Sequence, residues 1–215
     1  MKIITTEQAK AVDLRASREL GINTLMMMEN AGIRVTDFLL EVLANEPNKT
    51  VAVFCGKGNN AGDGLVVSRQ LICEGMAVDT FLLAPEYSFT TAARQNLSIL
   101  KKITKRLRRI KTDKDLEAIN FSSYSLLVDA ILGIGLKGET GGIFRATIER
   151  MNSSHKKIVS IDVPSGLDAN QGCVLGAAIK ATYTVTLIAP KKGLLIKQGP
   201  HFTGRLITRH IGFPC

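Results

Sequence analysis

Apolar positions first recur at helical spacing, then in short β-branched bursts. Thr5-x-x-Gln8 has the form of a capping box, and Ala9, Val12, Ala16 and Leu20 follow at helical intervals before Gly21, a suitable stop. A second helix is predicted from Asn23 or Thr24. Its apolar positions Leu25, Met28, Gly32, Val35, Leu39 and Val42 advance by alternating steps of three and four, so one face is buried and Gly32 permits close approach of a neighbour. From residue 50 the period changes. Strands are predicted at 50–55, 77–83, 126–130, 157–162, 182–188 and 206–209, with helices at 65–73, 90–102 and 144–152. Strands alternating with helices imply βαβ crossovers. The fold class is therefore α/β: a doubly wound, mainly parallel sheet with helices on both faces, three layers αβα. With no Pro/Ser-rich linker and no repeat, 1–215 reads as a single domain, its N-terminal helices (5–45) packed on or extending from the sheet.

Composition narrows the classes. At 45% hydrophobic and 22% charged, the chain can bury a sizeable core and is not intrinsically disordered. No apolar run approaches the roughly 20 residues of a membrane helix, and the start of the chain lacks the apolar stretch of a signal peptide. A cytoplasmic protein is the expectation. The net charge of +9 invites a nucleic-acid reading. Yet residues 101–114 (KKITKRLRRIKTDK) hold eight Lys/Arg and one Asp, so +7 of the +9 sits in one segment. That argues against a basic surface and for a solvated helix end followed by an edge strand protected by Lys and Arg, with an interaction patch as the alternative. Cys55, Cys73, Cys173 and Cys215 form no zinc-ligand spacing, and His155, His201 and His210 are scattered. Cys55 reads as a small core residue.

In open parallel sheets ligands bind beyond the carboxyl ends of the strands. Three such ends carry unusual loops. The first is 56–64 (GKGNNAGDG), where glycines allow close backbone approach and a following helix N-terminus favours an anion. Gly56-x-Gly58-x-x-Ala61 also fits the dinucleotide fingerprint, a weak signal alone. The second begins at Asp129 and runs through the glycines of 133–142; a carboxylate closing an apolar strand is costly unless it meets a donor, a metal or a ligand. The third, 162–169 (DVPSGLDA), again places a carboxylate at a strand end. No nucleophile elbow is present. Oxygen donors suit a hard cation, and a strand-end Asp suits proton transfer. An ordinary NAD-dependent oxidoreductase would need an acidic residue ending its second strand; Asp79 lies inside that strand and Glu86 comes late.

These segments resemble the YjeF N-terminal-domain family of NAD(P)H-hydrate epimerases. The similarity rests on GKGNNAGDG (56–64), VDAILGIG (128–135) and SIDVPSG (160–166), extended by LMMMENAG (25–32), ATYTVTLIAPKKG (181–193) and the ending Ile211-Gly212-Phe213-Pro214. The resemblance implies a Rossmann-like fold and epimerisation of the R and S forms of hydrated NAD(P)H (NADHX and NADPHX), feeding an S-specific dehydratase in cofactor repair. It also implies a bound potassium ion and a homodimer. Carried over by position, Asn59, Asn60, Ala61, Gly62 and Asp63 would contact the hydrate, as would Gly133, Ile134, Gly135, Leu136, Lys137, Gly138 and Glu139. Asp162 would meet the substrate and is the expected acid/base residue. Asn60, Asp129 and Ser165 would be potassium ligands. The expected chemistry is loss of the ring hydroxyl as Asp162 protonates it, a flat cation, and return of water to either face; ring opening and reclosure is a second route. Ala61 stands where the family usually has glycine, which would be strained if that position required positive φ. The alternative to catalysis is a nucleotide- or protein-binding scaffold of the same fold. Lys191 and Lys192 read as a solvated turn.

Overall fold

The Thr5 hydroxyl accepts from the Gln8 N–H while the Gln8 side chain accepts from the Thr5 N–H, so the predicted capping box opens α1 (Thr6–Glu19). Asn23 caps α2 (Thr24–Leu43) through the Met26 N–H at 3.0 Å. The structure, a computed structural model, describes residues 2–213; Pro214, with which the family-like ending closes, and Cys215 lie outside the described residues.

The chain continues through β1 (Thr50–Cys55), α3 (Asn59–Cys73), β2 (Ala77–Leu82), α4 (Thr91–Ile103), β3 (Leu107–Arg109), α5 (Asp113–Glu117), β4 (Leu126–Ala130), α6 (Gly142–Ser153), β5 (Lys157–Ile161), β6 (Tyr183–Leu187), α7 (Gly199–Thr203) and β7 (Arg205–Arg209). The seven strands form one sheet in the order β3-β2-β1-β4-β5-β6-β7, every pairing parallel. The pleat sorts side chains between two cores. Val51, Val53 and Cys55 face the layer of α2, α3 and α4, while Ala52 and Phe54 face Leu116 of α5 and Ile148 and Met151 of α6. This is the expected three-layer αβα arrangement.

Two glycines make the first layer possible. A Cβ on Gly32 would lie 2.2 Å from Val66 Cγ1, and one on Gly62 would lie 2.4 Å from Met28 Sδ, so each helix seats a side chain directly on a bare glycine of the other. Gly32 thus allows the close approach its position predicted.

Several boundaries differ from expectation. The helix predicted at 65–73 begins six residues earlier, at Asn59: the asparagines and glycines of the first loop are its opening turns. Ala61 is therefore helical and fully buried, with no positive φ, and the strain considered for it does not arise. The strands predicted to reach 162 and 188 stop at Ile161 and Leu187 because Asp162 and Ile188 have φ of 66° and 70°. The short helices α5 and α7, five residues each, were not anticipated. The basic segment is the end of α4 plus the edge strand β3, with Arg106 held by Asp79 and Lys101 by Glu86.

Candidate active site

The strand order reverses between β1 and β4, and there the carboxyl ends open a crevice. A cavity of about 660 Å³ fills it, roofed by α1 and α2. Asn59, Asn60 and Asp63 from α3 line it, with Gly133, Ile134, Gly135 and Leu136 after β4 and Asp162 after β5. Lys137 lines a smaller adjoining cavity of about 230 Å³ that shares the 133–136 wall. Ala61, Gly62, Gly138 and Glu139 line neither cavity. The first two are buried in the opening turn of α3.

Gly58 caps α3 without a side-chain bond, so the first amides of the helix are left for a ligand. A Cβ on Gly56 would lie 1.9 Å from the Ile131 carbonyl oxygen, so the loops after β1 and β4 meet as bare backbones. Asn59 is held by the Thr90 hydroxyl at 3.0 Å. Asn60 donates through Nδ2 to the Leu132 carbonyl at 3.0 Å, but its buried Oδ1 has no partner among the described residues.

Asp129 is fully buried at the end of β4. Its Oδ1 accepts from the Ile131 N–H at 3.2 Å and from the Ser165 hydroxyl; its Oδ2 accepts from the Ser165 N–H at 2.8 Å and the Ser160 hydroxyl at 2.7 Å. Ser165 Oγ in turn accepts the Leu132 N–H at 2.8 Å. Burial raises the Asp129 pKa and these hydrogen bonds oppose the rise. Neither Asp129 nor Ser165 lines the cavity: together they tie the loop after β4 to the loop after β5 from below.

The strand ends after β5 and β6 turn in the same way. The Val163 N–H reaches the Ile161 carbonyl and the Ala189 N–H reaches the Leu187 carbonyl, both at 2.8 Å, around the positive φ of Asp162 and Ile188. Such three-residue turns are rare, and for a β-branched residue strained. They aim Asp162 into the cavity. Its Oδ1 accepts from the Leu187 N–H at 3.0 Å and the Thr186 hydroxyl at 3.3 Å, and forms an ion pair with Lys191. Its Oδ2 accepts nothing among the described residues, so one oxygen is fixed and the other is open to a ligand.

Lys191 corrects the sequence reading. It is no solvated turn residue but one of the most buried side chains, 2% exposed, and it also donates to the Leu187 carbonyl at 2.8 Å. The chain start holds it there: the Ile4 N–H bonds to the Pro190 carbonyl and the Lys192 N–H to the Ile4 carbonyl. Asp13 of α1, which was not singled out, also lines the cavity. Burial raises the pKa of Asp13 and pushes that of Asp63 well up; in both cases neighbouring carboxylates add to the rise and Lys191 opposes it.

Fold and site together define a Rossmann-type α/β protein with a cavity at the switch point whose largely apolar wall carries three carboxyl groups, Asp13, Asp63 and Asp162. The chain belongs to the family described as YjeF-related protein N-terminus, whose model matches residues 24–193. It is 39% identical over 217 residues to the bifunctional NAD(P)H-hydrate repair enzyme Nnr of Moorella thermoacetica, covering 100% of this chain and 41% of that protein. It is 33% identical over 210 residues to the NAD(P)H-hydrate epimerase of Lentilactobacillus buchneri, covering 97% of this chain and 94% of that one. With the NAD(P)H-hydrate epimerase of Elusimicrobium minutum the identity is 32%, over 100% of this chain and 97% of the other. The chain thus spans 41% of the length of the bifunctional relative but nearly the whole of the two epimerases. The crystal structure of yeast ynu0, YNL200c, is similar with a TM-score of 0.82 and 25% identity, covering 98% of this chain and 87% of that one.

Proposed function

We propose that this protein epimerises the R and S forms of hydrated NAD(P)H and so supplies the S form to a dehydratase that restores the cofactor. The observation that carries the reading is Asp162. It stands at a strand end in the switch-point cavity, one oxygen bound by Lys191, Thr186 and Leu187 and the other open. The names of the full-length relatives support it.

The nucleotide part of the hydrate would lie along the amide end of α3, where free N–H groups favour phosphate, with Asn59, Asn60 and the 133–136 backbone around it. Inversion requires the hydroxyl to leave the ring carbon and a water to return to the other face. The ring nitrogen's lone pair expels the hydroxyl and gives a flat cation. Asp162 exchanges a proton with the departing or arriving oxygen, and its carboxylate, held by Lys191, Thr186 and Leu187, stabilises the cation electrostatically.

The donor set fits a potassium ion. The buried Asn60 Oδ1 lacks a partner among the described residues, and the other two expected ligands, Asp129 and Ser165, also offer oxygen. Asn60, Asp129 and Ser165 would hold the ion; when bound it would supply a fixed positive charge between the first two loops. The expected sign of binding is a higher unfolding temperature in potassium chloride than in choline chloride, lost in Asn60→Ala. An equal temperature in both salts would remove the ion from the account.

Among the described residues no helix is long and apolar enough to cross a membrane. We place the protein in the cytoplasm, a reading supported by the free Cys55, Cys73 and Cys173. Activity is tested with R-hydrate, an S-specific dehydratase and NAD(P)H absorbance. The wild-type chain should accelerate recovery of the cofactor. Asp162→Ala should abolish the acceleration while nucleotide binding persists; a mutant of full rate would remove Asp162 from the chemistry.

A further inference from the structure

The cavity contains a second carboxyl group that proton exchange at Asp162 leaves unexplained. Asp63 sits in the opening turns of α3, 9% exposed, and lines the same cavity as Asp162. Among the described residues its carboxyl group has neither a hydrogen-bond donor nor an ion-pair partner. A carboxyl nine-tenths covered by protein, with no donor from the chain, is costlier as an anion than as the neutral acid. Three charged groups act on it from the surrounding elements: Asp162 after β5, Asp13 of α1 and Lys191 after β6. The two carboxylates oppose its ionisation, and Lys191 is already engaged by Asp162. Strand order puts Asp63 and Asp162 on either side of β4, one carried in after β1 and the other after β5. One acid is salt-bridged to a buried lysine and suited to accept a proton. The other is buried, unpaired and suited to give one.

We propose that Asp63 is a second catalytic residue, the protonated carboxyl that gives its proton to the leaving hydroxyl while Asp162 takes a proton from the incoming water. This rests on the epimerase reading of the same cavity. In the R-to-S direction the Asp63 proton passes to the hydroxyl oxygen, the carbon–oxygen bond breaks, and its electron pair leaves with water. The ring nitrogen's lone pair forms the carbon–nitrogen double bond of the flat cation. Water then adds to the opposite face, the nitrogen regains its pair, and the surplus proton goes to Asp162. Asp63 is left as carboxylate and Asp162 as acid, which is the starting state for the S-to-R direction. Exchange with solvent resets the pair. Two carboxyl groups in opposite protonation states account for an enzyme that works in both directions on one carbon. A single acid would have to serve both faces.

The experiment measures kcat and KM for R-hydrate in the coupled assay with wild-type, Asp63→Asn and Asp63→Glu proteins, alongside unfolding temperature and nucleotide binding. Asp63→Asn keeps the size of the side chain and removes the proton. A fall in kcat of about 10²–10⁴-fold, the usual worth of a general acid, is expected with KM changed little and the fold intact. Asp63→Glu should recover part of the rate. The wild-type rate should also carry an alkaline limb from loss of the Asp63 proton, and that limb should be missing from Asp63→Asn; a structural role would move neither. If Asp63→Asn does not fold, Asp63→Glu decides: a shifted alkaline limb supports the assignment and an unmoved one overturns it. An active wild type with an equally active Asp63→Asn ends the assignment of Asp63 alone. A wild type with no rate ends the epimerase reading itself.

Discussion

A lysine ammonium is stable in a protein interior only when a carboxylate and further acceptors replace its water, and Lys191 has both in Asp162 and the Leu187 carbonyl. Removing the cation leaves a carboxylate largely shut off from solvent with two weaker donors. Lys191→Met should therefore cost about 3–5 kcal/mol in urea unfolding, the usual cost of breaking a buried pair. The loss should be partly recovered by adding Asp162→Asn. Additive costs in the double mutant would show that the two side chains do not depend on one another. Asp63 gives a pH signature. Its raised pKa means the folded protein keeps a proton that the unfolded chain has released. Stability is therefore full below the ordinary carboxylate range and is lost as pH rises through the folded value, with Asp13 and Asp129 shifted in the same direction. Asp63→Asn should unfold at a higher temperature than wild type at neutral pH, and the gap should close in acid; a variant less stable at neutral pH than in acid relative to wild type would contradict it. Asp129 and Asp162 were legible in the sequence because each is a carboxylate at the end of an apolar strand, and Asp63 because it belongs to the glycine-rich segment that follows one. Lys191 was not. Its burial depends on Asp162 from another strand and on Ile4 from the chain start, neither of which local spacing can reveal.

At the scale of elements, the strands and the long helices follow from periodicity, because each buries a face of constant period. What periodicity missed is where backbone chemistry overrides it. Asn, Ala and Gly at 59–64 read as loop by composition, yet they open α3 because α2 and β4 press so close that larger residues have no room there. The turns at Asp162 and Ile188 have no mark in the sequence; Asp tolerates positive φ, but Ile does not invite it. The contact between α2 and α3 gives a direct test. Gly32→Leu would set a branched side chain against the stem of Val66, which cannot swing away as a long side chain would. A loss of about 1–3 kcal/mol or more is expected, the usual cost of overpacking. Since α2 roofs the cavity and α3 carries Asn60 and Asp63, nucleotide affinity should fall with it. A neutral result in both would mean the two helices part without consequence.

At the scale of the molecule, parallel strands and one reversal of strand order bring the loops after β1, β4 and β5 to the same crevice. Their convergence could be anticipated from the alternation of strands and helices, but the roof of α1 and α2 could not, because nothing local says where the N-terminal helices settle. That roof leaves Leu20 and Met26 about half exposed, with Ile33 two turns beyond Met26 on α2. We propose that a second copy covers this apolar surface. Light scattering should give twice the 23.3 kDa of the chain, reduced to one by Leu20→Glu with Met26→Glu; a wild-type monomer would remove the dimer from the account. The central claim is that this cavity inverts a hydrated nicotinamide carbon. The most direct measurement supplies the purified protein with R-hydrate and an S-specific dehydratase and follows NAD(P)H absorbance. Recovery much faster than spontaneous epimerisation, lost in Asp162→Ala, is the expected result. A wild-type trace that overlays the reaction without the protein would contradict it.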